Sequence, residues 1–424
     1  MFPSLSYNAA FRNSVSLYIA NNFYGMLGVA VREPWNKTAF TFKFCLIKVD
    51  SEATCSKTFR KEAPGLIKEI FMLRSIGCLS IVLLHSIHIG IETMTIREMG
   101  EIYALFFDSI QMILYYGTPM FIFISEFLIA YSYRNRELPS HFLTKRMRFI
   151  LVPFVCMGIF YALPFFAEGL QAGFTKMAMN VLAGDYHGYF ILIIFQFYLF
   201  HFLFHRKLKK WKPWAVLSIT FIINAGYLGF FNFTSPPENF PAGSYIWDRF
   251  YWVPMFGWVF YFSVGYYAGT YYEKFSRFIV EWRYLFILGP VITSIMLLYF
   301  YHSGILQVHS SKRTDIMIHT VMCSFFLFYI TAEMKKLPGF LEYISRFSFG
   351  IFLLHYFYIF LFDFFFQMNP LPIGFGYIIL LFVFSLTASI LTILLVNRWK
   401  YGYMVIGQIG APYKPPKKPA PDRA

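Results

Sequence analysis

Arg74 and His85 share one strongly apolar stretch of chain, which runs from Ile70 to His88. Eleven residues is almost three helical turns, so on a helix both side chains face one side, roughly 16 Å apart. An ionisable group inside a membrane span is costly unless it faces a bundle interior or a watery cavity, so the pair is a functional-site candidate by default. The spacing offers an anion anchor near one surface and a titratable imidazole near the other. Such an imidazole either bonds between helices or acts as general base and takes the proton of a sugar hydroxyl, and the face it shares with Arg74 favours the second.

Further candidates lie on the neighbouring apolar stretches. Asp108 falls at the depth of His85 on the next span, where a carboxylate would hold the ring in one tautomer. Glu126, on the same span, matches the depth of Arg74; an Arg–Glu pair is expected there, because each charge alone would be buried without a partner. Its position is also the mouth of any donor tunnel. Lys145 and Arg148 stand one turn apart at the start of the third span, where basic side chains can clamp phosphates; a topology signal would explain them equally. His187, in Gly184-Asp-Tyr-His-Gly-Tyr-Phe, begins the fourth span, where it can either meet an external acceptor or simply decorate the interface. Ser348 and His355 are seven apart and share a face of the ninth span, either lining a site or bonding between helices. Five cysteines without a CxxC pair give little support to a disulfide framework or a zinc site, and no metal is expected.

The elements that must position these residues are membrane helices. A chain of 424 residues with 58% hydrophobic and 14% charged side chains does not read as soluble domains. Apolar runs long enough to cross a core of about 30 Å fall near 70–91, 103–131, 149–167, 188–204, 214–231, 250–272, 284–301, 315–332, 345–366 and 374–396. The expected fold is therefore all-α, a polytopic bundle of about ten transmembrane helices in the cell membrane. The second span carries Gly117-Thr118-Pro119, which predicts a kink. Alternate loops and the tail from Arg398 hold 22 Lys and Arg, against 5 in the others. The positive-inside rule then puts both termini and the basic loops in the cytoplasm. The net charge of +15 is mostly this topology signal, and a nucleic-acid partner is not expected. Residues 1–66 differ in character and read as an N-terminal extension ahead of a 67–398 membrane domain. Residues 399–424 read as a Pro/Lys-rich cytoplasmic tail, of which the run from Pro412 is expected to be disordered and extended and able to lie against anionic lipid. The sequons at Asn36 and Asn232 carry almost no weight.

Together these residues resemble the acyltransferase 3 family of integral-membrane acyltransferases. Arg74-x10-His85 matches the family's first span, and Phe121-Ile-Phe-Ile-Ser125-Glu126-Phe-Leu128 is similar to the phrase that ends its second. Glu126 stands where Gly is usual, which suggests the subgroup that includes the biofilm polysaccharide acyltransferase IcaC. Lys145-Arg146-Met147-Arg148 is similar to the basic-x-x-Arg element of the third span. Ser348 to His355 resembles the Ser-x-x-x-Tyr-Leu-x-His region, with Phe352 in place of Tyr. The resemblance covers about 68–396. It implies transfer of an acyl group, acetyl or succinyl, from cytosolic acyl-CoA to an exported or lipid-linked glycan. Arg74, Lys145 and Arg148 would hold the donor's phosphates and His85 would serve the transfer. A polysaccharide exporter is the alternative, and a partner of a glycan synthase a third; no internal repeat of the kind many transporters use is visible.

Overall fold

The computed structural model describes residues 67–94, 100–238, 244–371 and 373–413. The extension at 1–66, with Asn36, lies outside the described residues. One compact unit comprises Pro64–Leu298 and Val308–Ala424. Of the other unit, the described part is Tyr299–Gln307, the end of a helix and a turn at Gly304.

Every regular element among the described residues is helical. In chain order the helices are α1 (Lys68–Thr93), α2 (Glu101–Leu114), α3 (Gly117–Tyr133), α4 (Phe142–Arg146), α5 (Val152–Phe160), α6 (Leu170–Ala183), α7 (Phe190–Leu208) and α8 (Pro213–Phe233). They continue as α9 (Ser244–Trp252), α10 (Val259–Thr270), α11 (Tyr272–Glu281), α12 (Arg283–His302), α13 (Ile316–Glu333), α14 (Gly339–Met368), α15 (Gly376–Val396) and α16 (Gly402–Ile406). Counting interrupted helices as single spans, nine among the described residues are long and apolar enough to cross a membrane. Large apolar side chains stay exposed on the outer helices, including Ile222 and Phe230 of α8 and Leu288 and Ile295 of α12. That is the pattern of a bundle solvated by lipid.

Two predicted spans are built differently from a plain rod. The second is interrupted at Tyr115–Tyr116, between α2 and α3, just before Gly117-Thr118-Pro119. The sixth, expected at 250–272, is divided: Pro254 cannot donate to a helix ladder, and a short 3-10 turn at Met255–Gly257 separates α9 from α10. The twelve residues of α10 reach only about 18 Å, short of a full crossing. α10 is nevertheless packed hard against α3. A Cβ on Gly265 would lie 2.5 Å from the Phe123 carbonyl oxygen, and one on Gly269 equally close to that of Phe127. This small-xxx-small stripe lets the two backbones touch, the usual source of helix adhesion in lipid.

α1 is the hub. It packs against α2, α3, α13, α14 and α15, and its buried apolar residues Ile70, Leu73, Val82 and Ile87 have almost no exposure. The segment 168–187, which lies between the third and fourth expected spans, holds α6, which folds back along α5. Asn180 Nδ2 donates to the Gly158 carbonyl at 2.8 Å, and the Tyr186 hydroxyl donates to that of Phe154 at 2.7 Å. Gly184 ends α6 in the left-handed region at φ 63°, where a Cβ would meet Tyr189 at 2.8 Å.

The first residues of the tail dock on the bundle. Gly410 exchanges backbone and side-chain hydrogen bonds with Arg346, the Tyr413 N–H donates to Glu342, and Ile406 is buried. Residues 399–413 carry apolar anchors that dock on the bundle, and the Pro/Lys-rich run beyond them lies outside the described residues. Asn232 is an internal strut, donating to Tyr251 and to the Lys312 carbonyl at 2.7 and 3.0 Å.

Candidate active site

α1 and α14 run parallel in fixed register. The contacts Cys78–Ser348, His85–His355 and Thr93–Asp363 all join residues 270 apart in sequence. Arg74 breaks that register by one turn, its guanidinium donating to Ser348 Oγ at 3.0 Å. Helical side chains ordinarily lean toward the N-terminus. Arg74 extends the other way, about 6 Å along its own helix, directing its charge into the bundle. So the faces carrying Arg74/His85 and Ser348/His355 are turned toward each other.

The histidine contact has a defined proton order. His355 Nδ1 lies 2.9 Å from the Ile351 carbonyl, which can only accept, so this nitrogen carries the hydrogen. In a neutral ring its Nε2 is then an acceptor. His85 Nδ1 lies 2.8 Å away from that atom and must donate to it. The remaining lone pair of His85 is on Nε2. Backbone, buried His355 and His85 thus form a relay of orientation that leaves one basic nitrogen for a reacting hydroxyl. This is the arrangement in which a partner fixes the tautomer of a catalytic imidazole, with histidine in place of a carboxylate.

His187 completes the cluster. The fold-back of α6 brings it to the middle of α14, where its Nε2 meets the Phe352 carbonyl at 3.2 Å and its ring lies 5.5 Å from that of His355. Tyr356 stacks on His187 at 5.2 Å and presents its edge to His85 at 4.8 Å. Tyr161 is inserted into the α14 ladder at this level. Its hydroxyl donates to the Leu353 carbonyl and accepts from the Phe357 N–H, both at 3.0 Å. A side chain within an i to i−4 step locally opens and fixes a helix. Tyr161 and Tyr356 escaped sequence reasoning because one tyrosine among 31 gives no signal.

Two expected pairings are replaced. Asp108 does not meet His85; its carboxylate lies 3.1 Å from His309 Nε2, while Tyr115 holds the other nitrogen of that ring at 2.7 Å. Equal depth in a membrane leaves the azimuth of a helix free, and the break after α2 turns Asp108 toward the 308–313 segment. Glu126 does not meet Arg74. It is buried against His201 of α7, with Oε1 and Nδ1 2.5 Å apart. Ser125 next to it donates to the Tyr198 hydroxyl at 3.0 Å.

The basic element 145–148 divides by side. Lys145 and Arg148 are exposed, and Arg148 donates to Tyr403 on α16 at 2.5 Å. Arg146, which sequence reasoning passed over, turns inward across Phe142 and Tyr198 at 5.2 and 5.3 Å. A π-helical turn at Met147–Leu151 follows it and resets the phase of the helix. Among the described residues no group of three or more His, Cys, Asp or Glu side chains is placed to hold a metal ion.

Comparison with known proteins places the chain in a family. Residues 67–394 match the model of an acyltransferase domain. The chain is 38% identical over 360 residues to the "Putative membrane-bound acyltransferase YfiQ" of Bacillus subtilis, covering 83% of this chain and 96% of that one. It is 29% identical over 294 residues to the "Probable poly-beta-1,6-N-acetyl-D-glucosamine export protein" of Staphylococcus aureus, covering 68% of this chain and 81% of that one. The protein of that name from Staphylococcus epidermidis is 27% identical over 293 residues, 68% of this chain and 79% of its own. No solved structure matches. Arg74, His85, Ser348 and His355 all fall inside the matched domain, and the chain belongs to the acyltransferase 3 family of multi-pass membrane proteins.

Proposed function

We propose that this protein is an O-acyltransferase that moves an acetyl or succinyl group from cytosolic acyl-CoA to a hydroxyl of a cell-surface or lipid-linked polysaccharide. The observation that carries the reading is the His85–His355 contact inside the bundle, ordered so that His85 Nε2 keeps its lone pair. In the reaction the glycan hydroxyl attacks the thioester carbonyl while His85 Nε2 takes its proton. The C–S bond breaks, the proton passes to the departing thiolate, and ester and CoA result. His355 positions the ring, and His187 and Tyr356 line the acceptor side. Asp108 orders His309 rather than the base.

Arg74, Lys145 and Arg148 are assigned to the phosphates of the donor, with Glu126 near its path. The charge asymmetry of the loops supports this direction of entry, with both termini in the cytoplasm. Transfer is completed in the membrane domain, without a metal. The acceptor class rests on the similarity to proteins named for a poly-N-acetylglucosamine, and a glycan synthase is a natural neighbour.

The same names favour a second reading, export of the glycan itself. Deletion of the gene separates the two. Glycan that still reaches the surface but lacks acyl ester supports the enzyme; glycan retained inside the cell would support the exporter and refute the transferase.

A further inference from the structure

The loops on the side of the bundle opposite the basic ones carry four Lys or Arg among the described residues: Lys176, Arg249, Lys312 and Arg313. Positive charge is disfavoured on that side, so each needs a local reason. Three have one. Lys176 Nζ lies 2.6 Å from Asp185, Arg249 lies 3.6 Å from the other oxygen of that carboxylate, and Arg313 is held by Asp315. Lys312 is only 7% exposed and makes no ion pair among the described residues. A buried ammonium without a carboxylate is costly.

Aromatic rings stand where the counter-ion would be. Lys312 Nζ lies 4.2 Å from the ring centre of Trp252 and 5.1 Å from that of Tyr189. The Tyr189 hydroxyl accepts one of its hydrogens at 3.2 Å. Ring faces stabilise a cation without neutralising it. Lys312 is thus fixed in place with two N–H donors unengaged. Asp248, one turn before Trp252 on α9, is the acceptor counterpart. It is partly exposed and lies in the field of Arg249 and Lys312. Among the described residues it forms no hydrogen bond or ion pair with either.

An unengaged donor beside an unengaged acceptor selects its occupant. A phosphate or carboxylate would be repelled by Asp248, and a cation by Lys312 and Arg249. A polyhydroxyl ring meets both, because each hydroxyl donates to a carboxylate and accepts from an ammonium. The location suits an acceptor. Tyr189 ends the 3-10 turn that His187 begins, a rise of about 4 Å. The 308–313 segment also reaches the end of α1 that carries His88, whose electrostatic neighbour is His309.

We propose that Lys312 and Asp248, set by Tyr189 and Trp252, form a subsite for a sugar unit of the acceptor glycan, beside the unit that receives the acyl group. The role of acceptor rests on the acyl-transfer reading; the binding of sugar does not.

The test titrates a β-1,6-linked N-acetylglucosamine oligosaccharide, the glycan type named in the staphylococcal relatives, into full-length protein in phosphatidylcholine nanodiscs by calorimetry. The same oligosaccharide then serves as acceptor with radiolabelled acetyl-CoA and succinyl-CoA. Lys312→Met keeps an unbranched chain between the rings and removes the donors. Asp248→Asn keeps the shape and removes the charge, and thermal midpoints establish that each variant folds. The expected result is binding by wild type, weakened about tenfold or more in each variant, as loss of a charged hydrogen bond demands. The KM for oligosaccharide should rise by the same factor with the KM for acyl-CoA unchanged. Wild type that does not bind the oligosaccharide, or folded variants that bind it equally well, overturns the proposal. Binding that depends on Lys312 and Asp248 without acylation supports the site and counts against the transferase. Acylation with an unchanged KM for oligosaccharide in both variants refutes the site alone.

Discussion

Replacing His355 tests the order of protons in the histidine cluster. In His355→Leu the acceptor for His85 Nδ1–H disappears while an apolar side chain of comparable size fills the space. Two effects follow. A buried N–H without a partner costs about 1–3 kcal/mol, and the imidazole is free to place its hydrogen on Nε2, which removes the base. Since about 1.4 kcal/mol is tenfold in rate, kcat should fall roughly 10- to 100-fold. Ser348, which accepts the Arg74 hydrogen bond, lies seven residues, about 10 Å, away along α14, so KM for acyl-CoA should hardly change. His355→Gln offers an amide oxygen to the same N–H and should recover about tenfold of the loss. The assay is transfer of alkali-labile label from radiolabelled acetyl-CoA or succinyl-CoA to glycan in membranes, at several donor concentrations. Wild-type kcat in His355→Leu, or a loss confined to KM, would refute the proton order.

Other consequences are separable from that one. Tyr161→Phe removes both hydrogen bonds that the hydroxyl makes inside α14, which should lower the thermal midpoint and cut kcat by about tenfold, with the protein still in the membrane. Gly265→Leu sets a side chain against the Phe123 carbonyl and should prevent α10 from seating on α3; an unchanged, monodisperse elution profile after detergent extraction would contradict the packing. Glu126→Ala strands His201 and should destabilise by about 3–5 kcal/mol, whereas Glu126→Gln should cost less; equal unfolding of the two would remove the buried pair from the account.

Much of this arrangement was legible in the chain. Helical phase alone put Arg74 with His85 and Ser348 with His355, because spacing on one helix is arithmetic. What it could not supply was the joining of those faces, since they lie 270 residues apart and depend on α1 and α14 running in register. Asp108 and Glu126 show the same gap. Hydropathy gives depth along the membrane normal, but the partner is set by rotation about the helix axis, which the Tyr115–Tyr116 break changes for one of them. His187 was placed by reading 168–187 as a connector, although Leu170–Ala183 contains good helix formers and only Gly184 marks a stop. The divided sixth span had its own warning in Pro254 and Gly257, outweighed by the apolar residues around them.

The central claim is that His85 is the base of an acyl transfer. Membranes containing wild-type or His85→Ala protein would be incubated with radiolabelled acetyl-CoA, then succinyl-CoA, and a glycan acceptor mixture. The account predicts alkali-labile label on glycan with wild type and none with His85→Ala at equal protein level. Equal label from both proteins would contradict it.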